Sequence, residues 1–381
     1  MRSKRLTRSR QSWRLDARTT TRAYPLTSKT DLAAAVDSWY AEAIGFGVNR
    51  GIHCGEPTPG IISVEQSIRE RFGTVNSLAA RSGLARGLYW FIATRKKDRI
   101  VCPLASRGLL AFLILETMFG RSRRRFYLVE FLRPVPNSLK DKLKEAIHVR
   151  LCRWLFRHTL AGAQVMTKWE VESYAKRYQL PQSRFEFIPF PMMLNPTHLS
   201  PISVAPNLTV LASGRAACDW HTLFDASRGS DWHLVVVCAK EDRPVVDKLN
   251  FDGRATVMSE ISGDEHQRLL LNASVYALVL REINASAGHV RFAHAIEAGI
   301  PVVASAVRGL DGYLVNEITG LAVPVGDATA LRIAIDRLIK DATARNSLRL
   351  RAYEEMRPRN LTTYISEIKR FCLSAKGGDL A

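Results

Sequence analysis

Cysteine and histidine never gather in this chain. The six cysteines, Cys54, Cys102, Cys152, Cys218, Cys238 and Cys372, stand far apart with no histidine box beside them, which excludes a zinc site or a disulfide framework and reads as isolated reduced thiols. Long apolar runs are missing as well. The longest, 108–120 (GLLAFLILETMFG), is interrupted by Glu116 and falls short of the roughly 20 residues that cross a bilayer, so no transmembrane helix is expected. The first 29 residues lack the apolar core of a secretory signal. They are rich in Arg, Ser and Thr and nearly free of acids, a composition shared by transit peptides and by disordered basic leaders. No zinc-finger spacing, RNP-type aromatic motif or heptad accompanies the basic runs, so nucleic acid is not the expected partner.

What is present is a chain of 381 residues, 46% hydrophobic, with enough length for two ordinary cores. Its charge is lopsided. Residues 1–200 hold 34 Lys and Arg against 15 Asp and Glu, residues 201–381 hold 21 against 21, and the whole net charge of +19 therefore lies in the first half. One half is built to meet an anionic partner, either an anionic membrane face or a phosphorylated acceptor. Within it, 139–156 (LKDKLKEAIHVRLCRWLF) repeats Leu139, Leu143, Ile147, Leu151, Trp154 and Leu155 on one helical stripe, with Lys140, Lys142, Lys144, Arg150, Arg153 and Arg157 around it. The favoured reading packs that stripe on a sheet with the basic face outward; the rival lays it in a membrane interface.

Along the chain, 31–44 predicts a helix and 52–60 a loop. From about residue 85 strands and helices alternate: strand 98–104, helix to 120, strand 124–132, the basic helix, strand 161–168, helix 170–180 and a closing strand 185–192. The proline-rich stretch 192–207 marks a linker. A second alternation starts at 208–214 and continues with strands at 232–239, 255–260, 275–280 and 300–306, with Asp327 as N-cap of a helix and a last helix near 364–375. The expected organisation is a basic leader and helical extension at 1–60, a Rossmann-like domain at 61–192, a linker at 193–207, a second Rossmann-like domain at 208–360, and a C-terminal helix and tail at 361–381. Such alternation is α/β with parallel sheets, and two doubly wound units in tandem face a cleft in which ligands sit beyond the strands' carboxyl ends.

The segment SAGHVRFAHAIEAGIPVVASAVRGLDGYLVNEITGLAVPVGDATAL, preceded by ASGR at 212–215, resembles the donor-binding half of GT-B glycosyltransferases, in particular glycosyltransferase family 4 of bacterial polysaccharide synthesis. The likeness runs through 208–355 and is loose before that. It implies a nucleotide sugar on the second domain and an acceptor on the first. Two glutamates eight positions apart are usual in that family; the matching positions here are Ser286 and His294. A lysine five residues beyond the arginine is also usual, and Trp220 stands there.

Read as chemistry, Ala287 and Gly288 let the backbone turn sharply, and the amides of Gly288, His289 and Val290 open a helix whose N-terminus attracts a diphosphate without a metal. Gly214 and Arg215 follow a buried strand; Arg215 is the first candidate phosphate cation and Arg291 the second. Ser286 adjoins the turn. His294 can exchange hydrogen bonds with a ribose or simply pack under the strand, and Glu297, one turn on, is a substitute acceptor. No catalytic base is assignable: His53, His148 and His158 have no motif around them. The expected function is transfer of a hexose-like sugar, with retention, from a nucleotide diphosphate to an anionic or lipid-linked glycan acceptor in surface polysaccharide synthesis, in the cytoplasm or peripherally at the inner membrane face, with no cofactor or metal. The alternatives are a non-catalytic GT-B protein, a sugar-nucleotide epimerase, or a basic nucleic-acid or membrane interaction protein.

Overall fold

The computed structural model describes residues 61–63, 83–94, 99–103, 108–120, 126–131, 139–199 and 208–374. The leader, the helix expected at 31–44 and the loop at 52–60 lie outside them.

In the first half the order is β1 (Ile61–Ser63), α1 (Gly83–Thr94), β2 (Arg99–Pro103), α2 (Leu109–Phe119), β3 (Phe126–Val129), α3 (Leu139–Thr159), β4 (Leu160–Val165), α4 (Lys168–Tyr178) and β5 (Phe185–Phe187). These strands pair in parallel in chain order, β1-β2-β3-β4-β5. Alternate residues of β3 show why both faces are apolar. Phe126 and Leu128 enter a core with Trp90, Phe112 and Phe156 of the crossover helices, while Tyr127 and Val129 enter a second core on the opposite face; a parallel sheet covered on both sides needs such continuous hydrophobic strands. β5 stops at Phe187 rather than running on to 192, because Pro189 and Pro191 have no N–H for a ladder.

The second half comprises β6 (Thr209–Gly214), α5 (Trp220–Ser227), β7 (His233–Cys238), α6 (Arg243–Leu249), β8 (Thr256–Ser259), α7 (Gly263–Asn272), β9 (Val275–Leu278), α8 (His289–Glu297), β10 (Val302–Ser305), β11 (Leu321–Val323), α9 (Ala328–Lys340), α10 (Ala342–Met356) and α11 (Leu361–Ser374). Its sheet order, β11-β10-β9-β6-β7-β8, is the doubly wound order. Winding reverses between β6 and β9, the switch point beyond whose carboxyl ends such sheets place a ligand crevice. Asp327 caps α9, its carboxylate accepting the Ala330 N–H at 2.8 Å, as expected.

The linker and the C-terminal helix both join the halves. The linker is tied down at Met193, whose N–H donates to Glu297 Oε1 at 2.6 Å, and at His198, whose Nδ1 lies 2.7 Å from the Glu297 carbonyl oxygen; 200–207 lie outside the described residues. After α10 the chain returns to the first sheet, where α11 lays Tyr364, Ile365, Ile368, Phe371 and Cys372 on Val101, Tyr127, Val129 and Ile188. The C-terminal helix thus closes the open face of the first unit.

The basic helix corrects the favoured reading of its stripe in part, since Leu155 is buried and Leu151 packs against the core while the other described members turn outward. α3 packs on the sheet through Val149, Cys152, Leu155 and Phe156; Leu143, Ile147 and Trp154 are 67%, 64% and 50% exposed. The reason lies in the competition between two apolar faces. The aromatic and branched residues of the C-terminal half find a deeper seat against Phe131 and Tyr178, which turns the other stripe outward.

Because Ile368 is fully buried at the centre of the α11 contact, Ile368→Ala is expected to destabilise the first unit by about 2–5 kcal/mol. Chemical denaturation followed by tryptophan fluorescence measures this, and a shift no larger than that of the exposed variant Ile333→Ala would contradict the assignment.

Candidate functional site

The crevice between β6 and β9 is built from two loops that lace together. Asp219 N–H donates to the Val279 carbonyl at 3.0 Å and Arg281 N–H to the Ala217 carbonyl at 2.8 Å, so the turn after β6 and the segment after β9 hold one another in register. Under them Ser213, at the end of β6, shares its hydroxyl with Tyr276 (2.7 Å) and His266 (2.9 Å). That buried network fixes the floor without supplying charge, since burial depresses the His266 pKa and raises that of Tyr276.

Gly288 opens α8 at φ 94°, and a Cβ there would come within 2.6 Å of Leu280 Cδ1. Glycine is demanded by both the left-handed backbone and the close packing. The helix that follows presents its first amides at the crevice mouth, the arrangement that draws an anion. Ala287 is held from behind by the turn at Gly309. Val290 is half-buried in the first turn.

The candidate cations divide. Arg291 donates to the carbonyls of Ser213 (2.8 Å) and Ala216 (2.9 Å) and lies 3.3 Å from Cys218 Sγ. Its guanidinium braces the β6 loop, and it occupies the space where any Cβ at Gly214 would fall, 1.8 Å away. A side chain at 214 would have to displace that guanidinium, and Arg291 is engaged by the protein rather than free for a ligand. Arg215, by contrast, is exposed at the C-terminal end of β6 and has no partner among the described residues. Arg281, just past β9, is likewise exposed, and its charge reaches Cys218 beneath the turn. Sequence reasoning missed Arg281, although a cation one residue beyond the strand run VYALVL was a visible signal.

The histidines are neutral. His289, the first residue of α8, packs its ring on Tyr313 at 5.7 Å and Phe190 at 6.1 Å; burial, then the charge of Arg291, pushes its pKa down to about 4, and its Nδ1 has no partner among the described residues. His294 is pushed to about 4 by burial, then by His266. No side-chain hydrogen bond engages the His294 ring among the described residues, so its donor and acceptor remain available beside the Ser213 network. Glu297 sits at the far end of α8, about 12 Å along the axis from the first residue. There its carboxylate accepts the Met193 N–H, and burial raises its pKa to about 7. Its place is at the linker rather than at the helix start.

The largest surprise is Glu170. This wholly buried carboxylate belongs to the first unit, in the first turn of α4, where Oε2 accepts the N–H groups of Met166 and Thr167 at 3.1 Å each. Its Oε1 accepts Tyr174 OH at 2.9 Å and reaches across the cleft to the hydroxyl and N–H of Ser286. Beside it Arg308 stacks over Trp169, 5.3 Å from the ring centroid, while pairing with Glu282. The turn that opens α8 is thus clamped by the opposite unit. Only Thr167-x-x-Glu170 was a sequence signal, and it marks a helix start. His148 and His158 lie on α3 against Cys152 and Trp154, and His53 lies outside the described residues, so no base is identified among them.

This geometry defines a class. Residues 219–341, which include β9, the Gly288 turn and α8, match the family model described as glycosyl transferases group 1, and the paired parallel sheets have the GT-B glycosyltransferase fold. Over that stretch the C-terminal unit is similar to the group 1 glycosyl transferases. Among solved structures, a glycosyltransferase from Rickettsia africae aligns with 91% of this chain and 97% of its own at 14% identity and TM-score 0.60. Anabaena HepE in complex with UDP and glucose aligns over 78% and 83% at 16% identity and TM-score 0.59. The lipopolysaccharide outer core galactosyltransferase WaaB, in its apo form, aligns over 78% and 80% at 13% identity and TM-score 0.57. Identities this low speak for the fold. No curated protein sequence matches the chain.

The Glu297 carboxyl yields a pH test. Its folded pKa, about 7, stands above the ordinary 4.5, so the folded state holds a proton that the unfolded chain releases. Stability from this site is full below about pH 4.5, falls as pH rises, and is gone above about 7. Glu297→Gln, which keeps an acceptor for Met193, is expected to gain on the parent protein across that window, by an amount on the order of 2–3 kcal/mol. Denaturant midpoints at pH 5 and 8 measure it, and a difference independent of pH would count against a protonated Glu297.

Proposed function

We propose that this protein transfers a hexose-like sugar from a nucleoside diphosphate, bound in the β6/β9 crevice, to an anionic or lipid-linked glycan acceptor on the first unit. The observation that carries the reading is the convergence, at the point where the winding reverses, of the α8 N-terminus with the unpaired Arg215 and Arg281. Helix amides and guanidinium groups are the donors that a departing diphosphate needs, and they neutralise charge that grows as the sugar leaves. His294, neutral and with an unspent donor and acceptor, is the candidate ribose contact. Ser286, set by Glu170, holds the turn at its proper height. We read the transfer as retaining, in line with the family resemblance, and as metal-independent because the protein itself supplies the positive charge.

The neighbours support a nucleotide sugar in such a crevice: HepE is described in complex with UDP and glucose. WaaB, described as a lipopolysaccharide outer core galactosyltransferase, supports a place in surface polysaccharide synthesis. One feature favours a second reading. Ser286 and His294 occupy the positions of the family's two acids, so a chain that binds nucleotide sugars without releasing nucleoside diphosphate to any glycan acceptor would be a binding protein or an epimerase on the same fold.

Thermal shift with UDP, GDP, ADP and their sugar conjugates tests the donor site, because a bound ligand raises the melting temperature with the logarithm of its concentration. Arg215→Ala is expected to weaken the nucleotide that binds by about 1.5–3 kcal/mol, roughly ten- to a hundredfold. No shift with any nucleotide, or an unchanged affinity in Arg215→Ala, would overturn the assignment.

A further inference from the structure

The outward stripe of α3 is an apolar surface with no cover among the described residues, and its chemistry specifies an occupant. At 100° per residue, Leu143, Ile147, Arg150, Trp154 and Arg157 fall within one narrow sector of the helix, opposite the Val149, Cys152 and Phe156 seam that holds it to the sheet. All five are exposed. Lys142 and Lys144 stand exposed at the N-terminal end. Acids are missing from this face: Glu145 lies toward the seam and is ion-paired with Arg177. The neighbouring helices, α2 packed on α3 and α1 on α2, also leave large apolar side chains outside: Leu84 and Leu88 on α1, Met118 and Phe119 on α2.

We infer that this face docks on an anionic lipid bilayer, with α3 lying in the interface, Leu143, Ile147 and Trp154 entering the acyl boundary, and Arg150 and Arg157 holding the headgroups. Three observations select a membrane. Apolar and basic side chains share one sector, so an occupant must be apolar at its centre and anionic at its surface, which a bilayer of acidic lipids is and a protein patch of either kind alone is not. No helix among the described residues is long and apolar enough to cross a membrane, so the surface is for lying on a bilayer rather than spanning it. The chain's own N-terminal stretch is a poor match by charge, because residues 1–82 carry 13 Lys and Arg against seven Asp and Glu and would be repelled by the arginines here.

The inference deepens the lipid-linked arm of the proposed function. It rests on that reading for its purpose, and its test reads lipid binding without any transfer reaction. The full chain is floated with vesicles of phosphatidylcholine alone and of an equal mixture of phosphatidylcholine and phosphatidylglycerol, at low and high salt. Binding to the mixed vesicles, weaker at high salt and absent from phosphatidylcholine alone, is expected. The triple variant L143S/I147S/W154S, whose positions contribute nothing to the core, is expected to lose at least tenfold in vesicle affinity, and R150Q/R157Q to lose most of the dependence on acidic lipid. Trp154→Phe should still bind while losing part of the blue shift in tryptophan emission on vesicle addition. Failure of the parent protein to float, or equal binding by the triple variant, overturns the proposal. So does a parent dimer that dissociates in the triple variant and does not bind vesicles, since the face then belongs to a second copy of the chain. Nucleotide thermal shifts retained by the triple variant separate any such failure from failure of the donor site.

Discussion

A single carboxylate sets the relation between the two units. Glu170 is buried with no salt bridge among the described residues, a costly placement that several hydrogen bonds offset. Four of them come from its own unit and from one partner across the cleft: two amides at the start of α4, the Tyr174 hydroxyl and the Ser286 hydroxyl. Were Ser286 to swing away, one carboxylate oxygen would lose part of its compensation in a nearly water-free setting. The turn opening α8 therefore has its lowest energy when the units are drawn together. The rest of the interface agrees with that closure. Tyr313 accepts the Phe190 N–H at 2.8 Å and stacks near Phe187 and His289, so the hinge segment and the donor turn share one aromatic packing.

Charge at the crevice is divided between structure and ligand. An arginine whose guanidinium already serves two carbonyls and a thiol has little left for a phosphate, and Arg291 is of that kind. It does something else: it fills the volume beside Gly214 and ties the β6 loop through the Ser213 and Ala216 carbonyls. Arg215 and Arg281 stand at the two strand ends that flank the reversal of winding, exposed and uncommitted. Nearby histidines add no positive charge near neutral pH, because burial has discharged them. The charge left for a ligand is that of the two exposed guanidinium groups and the fixed field of one helix.

Much of this was legible in the sequence where local chemistry and tertiary position coincide. The strand runs at 208–214, 232–239 and 275–280, the Ser286 to Gly288 turn and the Asp327 cap all appear where periodicity and turn residues put them. Such features depend on neighbours a few positions away. The contacts that escaped notice are long-range. Glu170 and Ser286 are 116 positions apart, and nothing in either neighbourhood announces the other. Glu297 illustrates the same limit in a different form: one turn beyond His294 it looks like a spare acceptor for a ribose, yet the helix carries it to the linker, where the Met193 amide claims it.

The α3 helix shows how periodicity can identify a stripe and misjudge its direction. Both of its faces are apolar, so a 3.6-residue pattern alone leaves two orientations of similar merit. Volume and shape decide between them. Phe156 and Leu155 reach into the cluster of Phe131, Tyr174 and Tyr178, and aromatic edge-to-face packing there outweighs what Leu143 and Ile147 gain near the helix start. Arginine adds a second constraint. With Arg150 and Arg157 on the same sector as Ile147 and Trp154, turning that sector inward would bury two guanidinium groups without acids to meet them, whereas on the opposite side Glu145 finds Arg177. The helix orients to keep its arginines in solvent, and the exposed leucine, isoleucine and tryptophan are carried outward with them.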